Sequence, residues 1–171
     1  MGFQDAVKKG IEIVKLNREA YREVASEPAA FTQALIITGL AGVAMWLCPV
    51  AFTAWGVITG PLKALLALFI GTAILHFVAI LLGGKGDFMA LIRVLGVGRV
   101  LGWAAIIPVL GWIVNLWSLV MAVVAVEEIY GLDRTKAIMS VVLPFAVLFV
   151  LWIVMMLLVG FASMGALLFA A

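Results

Sequence analysis

Charged residues divide this chain into long apolar stretches separated by short polar islands. The uncharged stretches cover residues 28–62, 64–84, 100–126 and 137–171. A membrane-spanning helix needs about 20 apolar residues, because it must cross roughly 30 Å of hydrocarbon at about 1.5 Å per residue. Each stretch is long enough, and none alternates as the strand of a membrane barrel does. The pattern therefore predicts an all-α membrane protein.

The first apolar stretch is too long for one span and too short for two. Cys48 and Pro49 divide it, and the part that follows them is too short to cross a bilayer. We expect a first span over about 31–47, and then an interfacial or kinked extension as far as Gly60. The second span is predicted over about 61–82.

The middle of the chain admits two interpretations. Residues 100–126 form either one oblique span or the second part of a helical hairpin. Residues 108–111, Pro-Val-Leu-Gly, are suited to a turn, because proline removes a backbone donor and glycine relaxes the backbone. The hairpin alternative gives spans near 88–107 and 110–126. A last span is predicted over about 135–160.

Charge placement decides the number of spans. With five spans and a cytoplasmic N-terminus, ten of the eleven basic residues lie on the cytoplasmic side and only Lys63 lies outside. Four spans would place Arg134 and Lys136 outside, against the positive-inside rule. Tryptophans flank the predicted outer turns, and tyrosines lie on the cytoplasmic side: Trp46, Trp55, Trp103, Trp112, Tyr21 and Tyr130. We therefore expect five transmembrane helices and an external C-terminus.

The segment before the first span has the pattern of a charged amphipathic cytoplasmic helix over 1–27. Its apolar positions recur every three or four residues, with an interruption at Arg18, and they are Phe3, Val7, Ile11, Val14, Tyr21 and Val24. Three pairs have the spacing of helical ion pairs, namely Asp5–Lys9, Glu12–Lys15 and Glu19–Arg22. Such a helix either packs under the bundle or docks on a cytosolic partner or the headgroup layer. The predicted organisation is this helix, a five-span domain over 28–160 and an apolar tail over 161–171.

Composition supports a membrane location and restricts the chemistry. The chain is 67% hydrophobic and 12% charged, whereas soluble domains are roughly 45–50% apolar and about 25% charged. A net charge of +2 without a basic stripe does not indicate nucleic-acid binding. The single cysteine, Cys48, cannot form a disulfide within the chain, and the single histidine, His76, does not make a metal site. No cofactor is expected, and a cleaved signal peptide is not expected either.

Four charged residues are candidates for a functional site. Arg93 and Arg99 lie within an apolar segment, and Glu127 with Glu128 closes the fourth predicted span on the same side. They either snorkel and form interfacial ion pairs, or line a cytoplasm-facing polar pocket for a lipid headgroup or a partner, or carry a proton or an ion. We expect at least one Arg–Glu approach. Arg93 with Glu128 is favoured, because Arg99 lies about 9 Å deeper.

Small and polar residues within the spans predict helix packing. Gly98 and Gly102 form a G-x-x-x-G pair, a spacing that brings helices close together inside the bundle or at a dimer face. His76 and Asn115 are predicted to form hydrogen bonds between helices. The sequence contains no paired nucleophile and base, no paired carboxylates within a cleft and no HExxH motif, so we do not predict an enzyme.

Several short motifs resemble those of the Yip1-domain family of membrane proteins. The segment GGKGDF at 83–88, followed by LIRVLG at 91–96, is similar to the start of that family's third span. IPVLG at 107–111 continues the resemblance, and Trp117, EIYGL at 128–132 and KAI at 136–138 are similar to its fourth-to-fifth span junction. The resemblance covers about 28–160. It implies five spans with a cytosolic N-terminus.

The resemblance also bears on function. Eukaryotic members act in vesicle traffic with small GTPases and with one another, and short members resembling this chain occur in prokaryotes. The chain lacks the long cytosolic N-terminal region of the eukaryotic members, which argues against GTPase binding.

We therefore expect a non-catalytic scaffold or accessory subunit in a prokaryotic inner membrane. It would bind lipids or other integral membrane proteins, in a larger complex or a homo-oligomer. The alternative is a small transporter or lipid scramblase that uses Arg93, Arg99, Glu127 and Glu128 as a polar path.

Overall fold

The computed structural model describes residues 1–48 and 52–170, with side chains throughout these ranges except at residue 148 and at 158–170. Every regular element in these ranges is a helix. The elements in order are α1 (Phe3–Val14), α2 (Arg18–Ser26), α3 (Ala30–Leu47), α4 (Ala54–Leu81), α5 (Phe88–Gly98), a 3₁₀ helix (Arg99–Ile106), α6 (Pro108–Tyr130) and α7 (Arg134–Ala170).

Five segments are long and apolar enough to span a membrane. They are Ala30–Leu47, Ala54–Leu81, Phe88–Ile106, Pro108–Tyr130 and Arg134–Leu157. The prediction of an all-α, five-span membrane protein is therefore confirmed.

The third span changes its winding part-way along its length. Eleven α-helical residues are followed by eight in the 3₁₀ helix. At rises of about 1.5 and 2.0 Å per residue they cover roughly 32 Å, which is enough for the hydrocarbon layer. Ile107 is extended, and α6 begins at Pro108, whose missing N–H costs nothing in the first helical turn. The hairpin interpretation of 100–126 is thus right, and the single oblique span is wrong.

The second span begins earlier than predicted. Thr53 caps α4 by accepting a hydrogen bond from the backbone N–H of Gly56, and the helix continues through Pro61 without ending. The predicted extension as far as Gly60 is therefore the first part of α4, except that residues 49–51 lie outside the described residues. Proline is tolerated within a membrane helix when neighbouring helices support the backbone around it.

The α3–α4 crossing depends on glycine. A Cβ added at Gly42 would lie 2.7 Å from the carbonyl carbon of Gly60, and one added at Gly60 would lie 2.7 Å from the Trp46 ring. Backbones approach this closely only where a residue has no side chain, which is why small residues mark helix crossings in membranes. A Cβ added at Gly56 would also meet the Trp46 ring, so Gly56 and Gly60, four residues apart, both face α3.

The N-terminal segment forms two helices where one was predicted. Leu16 has a φ of 62°, and Asn17 caps α2 by accepting a hydrogen bond from the Glu19 N–H. We call α1 and α2 together the N-terminal hairpin. An ion pair joins the two ends of the hairpin: the amino group of Met1 lies 3.3 Å from a carboxylate oxygen of Glu27. The single helix over 1–27 is wrong, because a left-handed residue cannot continue an α-helix.

The predicted apolar face is confirmed in α2, where Tyr21 and Val24 are buried, but α1 packs into the core through a different face. Ala6 and Ile13 are fully buried, whereas Phe3 and Ile11 are exposed. Gly10 permits the contact, because a Cβ there would lie 2.7 Å from the carbonyl oxygen of Val97. Close approach of the two backbones, rather than the size of the apolar side chains, therefore selects the buried face of α1.

The ion pairs of the hairpin also differ from those predicted. Glu12 and Lys15 pair at 2.9 Å as expected, and this contact lowers the pKa of the Glu12 carboxyl. Lys9, however, reaches across the hairpin to Glu23 in place of Asp5. Arg22 pairs with Glu128 of α6 in place of Glu19.

The last helix lies at the outside of the bundle. It packs on α4 and α6 through its first turns, where Ala137, Ser140 and Val141 are buried. From Val142 to Leu157, its described side chains are exposed or half-buried. The backbone of α7 continues without a break from the span into the predicted tail over 161–170, and residue 171 lies outside the described residues.

Candidate functional site

Four charged side chains meet where the N-terminal hairpin contacts the end of α6. Arg18 Nη2 lies 2.6 Å from Glu127 Oε2, Arg18 Nη1 also contacts Glu128, and Arg22 Nε lies 2.5 Å from Glu128 Oε2. We call these four residues the rim cluster. The side chains of Glu127 and Glu128 are only 8% and 5% exposed, so the arginines supply most of their polar contacts.

The local sequence explains why the rim cluster needs both arginines. Glu127 and Glu128 lie in the last turn of α6, which ends at the left-handed Gly131. A carboxylate there faces the negative end of the helix dipole, so it requires a nearby cation. Arg18 and Arg22 are four residues apart and therefore project from the same face of α2. These contacts raise the pKa of the Arg18 guanidinium, and the hydrogen bonds to Glu128 and Glu127 are the main cause.

A cavity of about 460 Å³ opens beside the rim cluster. Arg134, at the start of α7, lines it together with the four members of the cluster, Gly131 and Leu132. Three arginines therefore face two glutamates, so this opening carries a net positive charge.

Among the described residues, neither Arg93 nor Arg99 pairs with Glu127 or Glu128. The expected Arg–Glu approach, including the favoured pair of Arg93 with Glu128, is therefore wrong. Arg93 Nη1 donates to the carbonyl oxygen of Ala25 at 2.5 Å, and its Nη2 lies 3.6 Å from Asp87. Ala25 lies in the last turn of α2, where carbonyl groups lack helical donors and readily accept such a bond. Spans three and four are neighbours as expected, but the packing of the hairpin turns Arg93 towards α2.

Arg99 lies in a different environment. It lines a cavity of about 320 Å³ between α4, α5, α6 and α7, which we call the membrane cavity. Within the described part of the chain, Arg99 forms no hydrogen bond and no ion pair. The wall is mostly apolar, and the hydroxyl-bearing side chains on it are those of Thr72 and Ser118.

The two hydroxyl groups of the membrane cavity differ. Ser118 Oγ donates to the Val114 carbonyl oxygen of its own helix at 2.7 Å. Thr72 is 1% exposed, and its Oγ1 has no hydrogen-bond partner among the described residues. Buried hydroxyl groups are nearly always satisfied, so an unpartnered one beside a cavity indicates a missing acceptor or donor.

His76 and Asn115 make different kinds of contact. His76 Nδ1 on α4 lies 2.6 Å from the Tyr130 hydroxyl on α6, so it links two helices. Asn115 is exposed, and its amide donates to the Gly111 carbonyl of its own helix at 2.9 Å. The prediction that Asn115 forms a hydrogen bond to another helix is therefore wrong, because its side chain lies on the outer face of α6.

Gly98 and Gly102 do not share one packing face. A Cβ at Gly98 would lie 2.6 Å from Met121 Cε, whereas one at Gly102 would lie 3.0 Å from Ala41 Cβ. The 3₁₀ helix begins at Arg99, and at three residues per turn a spacing of four no longer returns to the same side. Each glycine thus serves a different helix contact.

The sequence interpretation missed three polar side chains of these sites. It did not assign Arg18 and Arg22 to the carboxylates of α6, although their four-residue spacing was a signal for a shared face. It also missed Thr72, which is an unremarkable residue in an apolar helix. In addition, Trp117 Nε1 donates to the Val14 carbonyl at 2.8 Å, which ties the end of α1 to α6.

Comparison with known families agrees with this arrangement. The Yip1 domain matches residues 12–156, which include both cavities and most of the bundle. The chain belongs to the Yip1-domain family. This Yip1-domain protein is therefore an integral multi-pass membrane protein, and the resemblance noted in the sequence is confirmed. Neither the curated proteins nor the solved structures contain a significant match.

The match reaches into the N-terminal hairpin but does not cover all of it. It begins within α1, so the turn at Leu16, all of α2 and the rim cluster lie in it. The Yip1 domain therefore includes α2 and the rim cluster, whereas most of α1 precedes the matched residues. Members of this family are membrane proteins that interact with other membrane proteins.

Proposed function

We propose that this Yip1-domain protein is a non-catalytic membrane scaffold or accessory subunit that binds other membrane proteins or lipids. The observation that carries the proposal is the pairing of the rim cluster. Its carboxylates are shielded from water and bound to arginines, which is an arrangement suited to fastening the hairpin to the bundle rather than to acid–base chemistry. The charge bias of the chain supports a cytoplasmic N-terminus. We assign the protein to a prokaryotic inner membrane because short members that resemble this chain occur in prokaryotes.

The outer helix α7 is the surface that we assign to a protein partner. Phe145, Phe149 and Trp152 are 56%, 60% and 58% exposed, and the last two stack with ring centroids 6.1 Å apart. Beyond its first turns this helix makes few contacts within the chain, so a partner helix can pack along it. Packing of side chains, rather than expulsion of water, drives such association in lipid.

The alternative is a small transporter or lipid scramblase, and the position of Arg99 within the third span favours it. A transporter requires polar groups along one route. Arg93, Arg99 and Glu128 lie in three separate environments, which weakens the route that the sequence suggested. A scrambling assay in liposomes tests this alternative: flipping of a labelled lipid that is lost in Arg99→Met would replace the scaffold proposal.

Site-specific photo-crosslinking in native membranes tests the scaffold. A crosslinking amino acid at Trp152 on α7 is compared with one at Phe77, which is 64% exposed on α4. We expect discrete protein adducts at Trp152 and lipid adducts at Phe77. Lipid adducts alone at both positions, together with monodisperse monomers in mild detergent, would overturn the protein-binding part of the proposal.

A further inference from the structure

We propose that the membrane cavity binds one anionic phospholipid of the surrounding bilayer. Its phosphate group lies at Arg99 and Thr72, and one acyl chain lies along the apolar wall. This inference deepens the lipid-binding part of the proposed function and rests on it. It concerns a different surface from the protein-binding face of α7.

The charge of Arg99 defines the ligand as an anion. A guanidinium group within a membrane span is costly unless an anion or a set of hydrogen bonds compensates it. The rim cluster uses Arg18 and Arg22 to neutralise its own carboxylates, whereas Arg99 has no acidic partner among the described residues. Phosphate suits this position, because guanidinium binds its oxygens through two parallel hydrogen bonds.

The hydroxyl of Thr72 supplies the second, independent observation. It is nearly fully buried on α4, it lines the same cavity as Arg99, and its Oγ1 is without a partner among the described residues. A phosphate oxygen can accept a hydrogen bond from this hydroxyl only after the neighbouring side chains make room for it, because Oγ1 is enclosed in the structure. Arg99 and Thr72 thus both lack a hydrogen-bond partner among the described residues, and both line the membrane cavity.

The hairpin provides polar surface near this depth of the bundle. A Cβ at Gly98 would lie 3.1 Å from Ile13 of α1, and Trp117 of α6 binds the Val14 carbonyl. Gly98 itself lines the cavity, and Trp117 precedes the lining residue Ser118 in the sequence. The hairpin therefore contacts the cavity wall at Gly98, close to the turn that follows Val14. A lipid headgroup can be drawn in beside that turn without entering an entirely apolar layer.

The dimensions of the cavity favour a lipid over a partner helix. Its volume of about 320 Å³ is at the lower end of the roughly 300–1,000 Å³ range of small-molecule sites. A helix with its side chains is about 10 Å across, so it cannot enter. Leu68, Leu75, Leu119 and Phe145 are among the apolar lining residues, and they suit an acyl chain.

The test measures lipid binding by the full chain in detergent. The protein is titrated with phosphatidylglycerol and, separately, with phosphatidylcholine of the same acyl chains, and bound lipids are counted by native mass spectrometry. Melting temperature is recorded in parallel. The variants are Arg99→Met, Arg99→Lys and Thr72→Val. Lys8→Gln is the control, because Lys8 is a surface cation of α1 away from the cavity.

We expect the natural protein to bind one phosphatidylglycerol at least about tenfold more tightly than phosphatidylcholine. Arg99→Met should abolish this preference, Arg99→Lys should keep part of it, Thr72→Val should weaken it several-fold, and Lys8→Gln should leave it unchanged. Without lipid, Arg99→Met should melt no lower than the natural protein, because it removes a charge without a partner. If that variant nevertheless fails to fold, Thr72→Val and Arg99→Lys decide the question.

Three results would overturn the lipid site: equal binding of the two lipids by the natural protein, a preference that persists in both Arg99→Met and Thr72→Val, or a protein adduct in place of a lipid adduct from a crosslinker at Leu119. The last result would show that a partner protein, rather than a lipid, lies at the cavity. If the lipid preference is absent while protein adducts still form at Trp152, only the lipid site is refuted. If no protein adducts form at Trp152 while the preference for phosphatidylglycerol is present, only the protein-binding role is refuted.

Discussion

Removing the arginines of the rim cluster should destabilise the fold more than removing its glutamates, although both changes break the same ion pairs. The reason is the difference in exposure across each pair. The side chains of Glu127 and Glu128 are 8% and 5% exposed, whereas those of Arg18 and Arg22 are 51% and 68% exposed. An arginine that loses its partner is hydrated at once, but a carboxylate that loses its partner can gain water only from the opening beside the cluster.

The magnitude follows from that asymmetry. Leaving a buried charge without its partner costs about 3–5 kcal/mol, and we expect the lower end of this range for Glu128, because it lies at a helix end. The double variant Arg18→Met/Arg22→Met should therefore lose on the order of 3 kcal/mol of the free energy of unfolding. Glu127→Gln/Glu128→Gln should lose less than half as much, since glutamine retains hydrogen bonding and the arginines remain in water.

Reversible unfolding in mixed micelles with increasing SDS provides the assay. The quadruple variant, in which all four members of the rim cluster are replaced, should be more stable than the double arginine variant, because it no longer contains an uncompensated carboxylate. Lys136→Met serves as a control for loss of a surface cation on the same side. Equal losses in the two double variants, or strictly additive losses in the quadruple variant, would refute the reasoning.

Three further predictions concern packing, the hairpin and topology. Gly42→Ala should lower stability by about 1–3 kcal/mol, because its new Cβ would collide with Gly60, whereas Gly71→Ala, with open space around it, should be neutral or slightly stabilising; SDS unfolding compares them. Trp117→Phe removes the bond to the Val14 carbonyl, so it should cost about 1 kcal/mol and speed amide exchange at the hairpin turn; unchanged exchange would contradict this. Reporter fusions at the two termini should give opposite signals, and matching signals would exclude five spans.

The sequence by itself determined the number of spans and most of their limits. Span length and hydropathy are local properties, because each helix must satisfy its own backbone in lipid whatever lies beside it. Pro108 likewise acts locally: it begins α6, and the break before it separates the third span from the fourth. Pro61 shows the limit of this reasoning, since α4 passes through it with support from its neighbours.

Only the tertiary structure decided which way each helix faces. Adjacent residues of a helix differ by about 100° around its axis, so Arg93 and Arg99 could not be assigned partners from depth alone. Packing of the hairpin turned Arg93 to Ala25 and left Arg99 on the wall of the membrane cavity. The hairpin itself depends on Leu16 in a left-handed conformation and on backbone contact at Gly10, and neither is encoded in apolar periodicity. The rotation of a helix about its axis and its close approach to a neighbour are properties of pairs of helices. The hydrophobic pattern of one helix does not contain them.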